Sequence, residues 1–288
     1  MTDTLLRLTD VSKAFPQFSL ENISFSLPKG YIMGLIGPNG AGKTTLIKLI
    51  LNMVEKDSGE ILVSQKDHAA CERTLKQEIG VVFDSSFFVE EWTVKDTERA
   101  ISVFYQHWDH ALFQQMIRRF ELPWNKKISD LSRGMQMKLM LACAFSHDAK
   151  LLILDEPTSG LDPATRSAFL EVLQDYIKDG QRSVLFSTHI TADLERVADY
   201  VVFLHEGRLV YTGSMEELLN RYRLIKGRPQ DLTPALERRI VGLRKTDLSF
   251  EGLLAAEEAA AFSAEPNKSY VLDHVTADDV LVGFGRRD

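Results

Sequence analysis

The sequence predicts an α/β fold. A mostly parallel sheet with helices on both faces carries an N-terminal antiparallel β region, a helical insert and a small α+β appendage at the C-terminus. Three observations predict it. Short β-branched runs alternate with stretches of helical spacing, which is the pattern of a parallel sheet with crossover helices. A Gly-rich loop at Gly37 to Thr44 stands between a short apolar run and an apolar-periodic stretch. Leu151 to Leu154 is apolar throughout, as a strand buried on both faces should be.

Taken in order, Leu5 to Val11 alternates apolar and polar residues, and Leu20 to Leu27 does so again after a Pro-interrupted segment. Tyr31 to Ile36 reads as a buried strand, and Lys43 to Val54 as the helix after the loop. Asp57-Ser58-Gly59 makes a turn and Glu60 to Ser64 a strand. Arg73 to Gln77 has helical spacing, and Ile79 to Phe83 is a β-branched run ending at Asp84. Thr93 and Asp96 form a capping pair for a helix through Tyr105, and a second helix covers Ala111 to Phe120. Trp92, Phe104, Tyr105, Trp108 and Phe113 make this insert aromatic, as core packing or as a docking surface. Leu131 to Gln136 opens a helix that runs to about Ser146. Asp162 caps the next helix, with Pro163 in its first turn. Ser183 to Ser187 is a strand that delivers His189, and Tyr200 to Leu204 and Arg208 to Thr212 flank Glu206-Gly207 as a hairpin.

Beyond Gly227 come a helical stretch near Pro234 to Ile240 and apolar runs at Ile240 to Leu243 and Phe250 to Leu254. An Ala/Glu-rich helix, a strand at Tyr270 to Val275 and a Thr276-capped helix follow. Residues 1–226 thus read as one domain with its insert at about 84–147, and 227–288 as an accessory region.

The 288 residues are 44% hydrophobic and 26% charged, enough for a substantial core under a solvated surface. A net charge of −7 argues against a general nucleic-acid binder, which would carry a basic excess. Cys71 and Cys143 show no metal-ligand spacing and read as idle thiols in a reducing compartment. The chain does not open on a basic segment with an apolar run, and no stretch reaches the length of about 18 apolar residues that spans a bilayer. The expectation is a cytoplasmic chain that meets a membrane through a partner.

The loop reads Gly37-Pro38-Asn39-Gly40-Ala41-Gly42-Lys43-Thr44, followed by Thr45, and fits G-x-x-x-x-G-K-[ST] at every fixed position. A phosphate chain is held where backbone N–H groups converge, and glycines permit that curvature and close approach. The following helix turns its positive end toward the anion. Lys43 can reach β- and γ-phosphates, and the Thr44 hydroxyl can ligate Mg²⁺. Asp155 and Glu156 end the buried strand, where open α/β sheets place ligand groups. Asp155 would hold Mg²⁺ through its water shell, and Glu156 would polarise the attacking water. Phe15 ends the first strand, either as an adenine platform or as a core residue.

These residues resemble the ATP-binding subunits of ABC transporters, from about Leu5 to Arg223. The marks are the P-loop, Leu131-Ser132-Arg133-Gly134-Met135-Gln136 as the signature, Leu151 to Glu156, Ser159 to Asp162 as the D-loop, and His189 as the switch histidine. The resemblance implies a P-loop NTPase core, MgATP hydrolysis and two such domains packed head to tail, as a homodimer or with a similar chain. Each ATP would lie between Gly37 to Thr45 of one subunit and Ser132 and Gly134 of the other. His189 would contact the γ-phosphate and the attacking water.

Three positions depart from the pattern. Arg133 and Met135 replace a Gly and the Gln of the signature, which puts a ribose contact in doubt. Asp84 replaces a Gln that reaches metal and water; its carboxylate can also ligate Mg²⁺, or can merely cap a loop. The variants resemble the branch of small bacterial exporters with separate ATPase and permease chains. The expectation is an ATPase subunit peripheral on the inner face of the membrane, with the permease docking around residues 84–130. A soluble ABC-type ATPase acting on ribosomes or DNA is the rival, and a degenerate nucleotide sensor is a third reading. The single P-loop and the absence of a heptad run favour transport. Because the tail lacks catalytic motifs, truncation near Gly227 is expected to leave nucleotide binding intact.

Overall fold

The computed structural model describes residues 3–263 and 270–285. β1 (Thr4–Phe15) and β2 (Phe18–Pro28) form an antiparallel hairpin, with only Pro16 and Gln17 between them. β3 (Ile32–Ile36), buried at every residue, enters the Gly-rich loop, and α1 (Lys43–Ile50) begins after a left-handed Gly42. Spacing alone carries this helix to Val54. It stops at Ile50 because Asn52 turns left-handed at φ 54° and the Met53 N–H folds back onto the Lys48 carbonyl at 2.9 Å. β4 (Ser58–Val63) starts earlier than Glu60 because Ser58 already pairs with Ser12 of β1. β5 (Lys66–Asp67), α2 (Glu72–Leu75) and β6 (Ile79–Val82) follow.

In the insert, Thr93 and Asp96 make the expected capping box of α3 (Val94–Ser102). This helix ends short of Tyr105, whose ring stacks instead on the buried His147 at 3.9 Å. α4 (His110–Arg119) and α5 (Arg133–Ser146) complete the helical layer, capped by Asp109 and Ser132. The chain continues through β7 (Leu151–Asp155), α6 (Pro163–Ile177), β8 (Ser183–Ser187), α7 (Thr191–Val197), β9 (Tyr200–His205), β10 (Arg208–Ser214) and α8 (Met215–Arg221).

These strands form a ten-stranded sheet in the order β5-β4-β1-β2-β10-β9-β3-β8-β7-β6. The run β9-β3-β8-β7-β6 is parallel, and the N-terminal strands extend it as an antiparallel region. Alternate residues of β7 serve opposite cores. Leu152 and Leu154 join the cluster under α5 and α6, whereas Leu151 and Ile153 join the cluster under α1. Both faces are therefore dry, and polar chemistry is left to the strand ends. Burial pushes the Cys143 thiol well up, so it stays protonated.

The tail builds β11 (Tyr222–Gly227), α9 (Pro234–Glu237), β12 (Val241–Lys245), β13 (Phe250–Ala255), α10 (Ala256–Ser263), β14 (Val271–His274) and α11 (Ala277–Gly285). Its antiparallel sheet runs β12-β13-β11-β14, so it takes in residues from Tyr222 onward, ahead of Gly227. Thr276 caps α11 by accepting the Asp279 N–H at 3.1 Å, while Glu195 of α7 accepts the Ala277 N–H at 2.5 Å.

Ala277, Val280 and Phe284 share one apolar cluster with Leu194 and Val197 of α7. A cut near Gly227 would therefore uncover core surface as well as remove a tail. Phe284 stands edge-on to Phe203 at 5.7 Å and to Tyr222 at 5.6 Å. Phe284→Ala is expected to cost about 3–5 kcal/mol, read as a lower thermal unfolding midpoint. An unchanged midpoint would mean that the tail is not docked on the core in solution.

Candidate functional site

The C-terminal ends of β3, β7 and β8 meet on one edge of the sheet, because these strands are parallel neighbours. β3 delivers the loop. Gly37, Gly40 and Gly42 take φ of 154°, 82° and 104°, and the Ala41 N–H bonds the Pro38 carbonyl at 3.1 Å. Lys43, at the start of α1, is buried. Its ammonium donates to the Gly37 carbonyl at 2.8 Å and lies 3.7 Å from Glu156 Oε1.

β7 delivers Asp155, which is 5% exposed, and then Glu156, which turns left-handed at φ 50°. A non-glycine residue in that region is held there by its surroundings. Here the holder is Ser187, in register with Asp155 at the end of β8. Its hydroxyl donates to Asp155 Oδ1 at 2.6 Å and accepts the Glu156 N–H at 3.1 Å. Sequence reasoning missed Ser187. The only available signal was a small polar residue closing an apolar strand. The next turn brings His189, whose Nδ1 lies 2.7 Å from Glu156 Oε2 while its backbone N–H donates to the same oxygen at 3.2 Å. Glu156 is thus held between an ammonium and an imidazole.

Thr44, Asp84, Asp155 and Glu156 line one cleft of about 640 Å³, together with Lys48 and Phe87. The Asp84 side chain is 58% exposed, and its carbonyl accepts a hydrogen bond from Arg133 at 3.3 Å. Phe15 lies at the hairpin tip, 39% exposed, and its ring centroid is 6.5 Å from that of Phe18, which packs against Gly42. That places Phe15 near the loop without burying it. Ser132 and Gly134 are not in the lining of this cleft. Ser132 Oγ accepts the Met135 N–H at 3.3 Å as the cap of α5, and Gly134 lines a separate cavity of about 140 Å³ with Leu161 and Thr165. Asp162 caps α6. Hydrogen bonds from the Thr165 side chain and the first N–H groups of the helix hold its carboxyl below the usual range.

A strand, a glycine loop and a helix beside an acidic strand end define a P-loop nucleotide-binding protein. The sequence pattern of the family described as "ABC transporter" matches residues 20–159. The ABC transporter ATP-binding protein NatA of Bacillus subtilis (strain 168) is 31% identical, over 76% of this chain and 93% of its own length. The Nod factor export ATP-binding protein I of Sinorhizobium fredii is also 31% identical, over 81% of this chain and 71% of its own. The solved structure described as "Structure of ATP binding subunit of ABC transporter" superposes with a TM-score of 0.69 at 32% identity, covering 75% of this chain and 92% of that one. The chain belongs to the ATP-binding subunits of ABC transporters. It binds ATP and hydrolyses it to drive transport, as a dimerising ATPase that works with a membrane permease.

Proposed function

We propose that this chain hydrolyses MgATP in a head-to-tail dimer and drives export through a separate permease, from the cytoplasmic face of the membrane. The observation that carries this reading is the convergence of Lys43, Glu156 and His189 beside Thr44 and Asp155. In this arrangement the Lys43 ammonium, now shared between the Gly37 carbonyl and Glu156, would move to the β- and γ-phosphates. Glu156 would then accept the proton of the attacking water. A His189 that donates its Nδ1–H to Glu156 keeps Nε2 as a free acceptor, which would be available to the nucleotide.

Thr44, Asp155 and Asp84 offer only oxygen donors, the chemistry that Mg²⁺ takes, so they would hold it; bound there, it would neutralise phosphate charge. Among the described residues no group of three or more His, Cys, Asp or Glu side chains forms a cage. A site that borrows phosphate oxygens and water does not need one.

The second half of each ATP site would come from Ser132 and Gly134 of the other subunit, whose helix start presents N–H groups to an anion. The same reading divides the chain into an ATPase domain and an accessory region, with the boundary moved from the expected 226/227 to the start of β11 at Tyr222. No helix of the described residues is long and apolar enough to cross a membrane, so the permease would supply the spans. Export is supported by the relatives whose names mention it, the Nod factor export ATP-binding proteins. Phe87 is 60% exposed and Trp92 38%, and both belong to the segment expected to dock the permease. Co-purification from membranes of a chain with several apolar spans is the expected result. Association with ribosomes or DNA instead would overturn the transport reading.

Asp84→Ala is expected to lower turnover while weakening MgATP binding by no more than a few-fold, and Asp84→Gln to restore part of the rate, because an amide oxygen still ligates or orients water. Wild-type turnover in the Ala variant would leave Asp84 as a loop cap.

A further inference from the structure

Two of the departures from the family pattern, Asp84 and Arg133, are 49 residues apart in sequence and meet in space. The Arg133 guanidinium donates to the Asp84 carbonyl at 3.3 Å, and the same nitrogen lies 3.7 Å from Asp84 Oδ2. It also lies against the D-loop, where a Cβ on Gly160 would be 3.2 Å from Nη1. Arg133 follows Ser132 at the start of α5 in the insert, whereas Asp84 lies two residues beyond β6 of the core and lines the nucleotide cleft. One side chain therefore links the signature helix, the D-loop and the cleft.

Both partners are about half exposed, at 47% and 58%, so the pair contributes little to the stability of the fold. Its geometry bears instead on which cation the carboxylate serves. Asp84 can be the counter-charge of Arg133 or a ligand of the cleft cation, and each role weakens the other.

We propose that Arg133 is a positioning residue that acts through Asp84. It occupies the carboxylate while the cleft holds no cation, and it gives the carboxylate up when Mg²⁺ enters with ATP. The freed guanidinium then stands beside Ser132 and Gly134, so metal binding in the cleft is coupled to the state of the signature helix. Linkage makes the coupling reciprocal, and a chain without Arg133 gains more ATP affinity from Mg²⁺ than the wild type does. The inference rests on the proposed role of Asp84 as a metal ligand.

The test is the ratio of ATP dissociation constants without and with metal, measured calorimetrically on the full chain in excess EDTA and in Mg²⁺. Arg133→Ala is expected to raise this ratio about two- to fivefold, the range that releasing an exposed ion pair allows. Arg133→Lys should stay near wild type because it keeps the charge. Asp84→Asn should lower the ratio, and adding Arg133→Ala to it should change nothing further. A purely structural role for Arg133 would lower the melting temperature and leave the ratio alone, which would overturn the inference. An equal rise in the Asp84→Asn background would also overturn it, since Arg133 would then act on the phosphates directly. Failure of the wild-type chain to bind ATP in either buffer would instead remove the functional reading on which the inference stands.

Discussion

Glu156→Gln is expected to reduce ATP turnover by roughly 10²–10⁴-fold, the usual effect of removing a positioned base, and to trap the chain as an ATP-bound dimer. The local geometry explains why the variant should keep its shape. Glu156 is held at φ 50° by the Ser187 hydroxyl on its N–H, and an amide leaves that bond untouched. The amide oxygen can still accept from His189, as the carboxylate does at 2.7 Å. Two things change. The group can no longer take a proton from water, and its negative charge no longer opposes an incoming triphosphate. Light scattering with MgATP reads the dimer, and phosphate release reads the rate. Adding Ser132→Arg should abolish the dimer, because a bulky side chain would fill the anion site at the start of α5. Wild-type turnover would show that Glu156 is not the base. Slow turnover by a chain that stays monomeric would point to a heterodimer with a similar subunit.

Gly37→Ala is expected to be far more damaging than Gly40→Ala, although both glycines belong to the same motif. A Cβ on Gly37 would lie 2.3 Å from the Leu204 carbonyl oxygen, an overlap that backbone must move to relieve. Leu204 cannot move freely, because it is in β9, paired with Leu209 of β10. The Gly37 carbonyl also accepts the Lys43 ammonium at 2.8 Å, so displacing the loop misplaces the lysine. Loss of ATP affinity of roughly tenfold or more, about 1.4 kcal/mol, should accompany a lower melting temperature. At Gly40 a Cβ would meet nothing within 4 Å. Only its left-handed φ of 82° opposes alanine, at a cost of roughly 1–2 kcal/mol. Equal losses at the two positions, measured with a fluorescent ATP analogue, would show that curvature alone and not crowding by β9 governs the loop.

The local elements were legible in the sequence because the groups that define them are near neighbours. The Thr93–Asp96 box, the Asp162 cap and the Thr276 cap of α11 each join residues within one helical turn. The buried run of β7 was legible for a related reason: a strand covered on both faces has no position left for a polar side chain. The α1 helix was read too long because apolar spacing continues past Ile50, and the left-handed Asn52 that stops it carries no periodic signal.

By itself, then, the sequence determined a P-loop followed by a helix, an acidic pair ending a buried strand, and the alternation that makes the sheet mostly parallel. Each of these follows from backbone permissiveness, capping chemistry or burial period, which act over a few residues. Only the tertiary structure decided that Ser187 would hold Asp155 and Glu156, that Lys43 would reach Glu156 at 3.7 Å, and that α11 would dock on α7. It also brought Arg133 to Asp84, which the sequence shows only as two separate departures from a pattern. The physical reason is strand order. β7 and β8 are neighbours in the sheet with α6 between them in the chain, and side chains at parallel strand ends meet according to register, which no local spacing encodes.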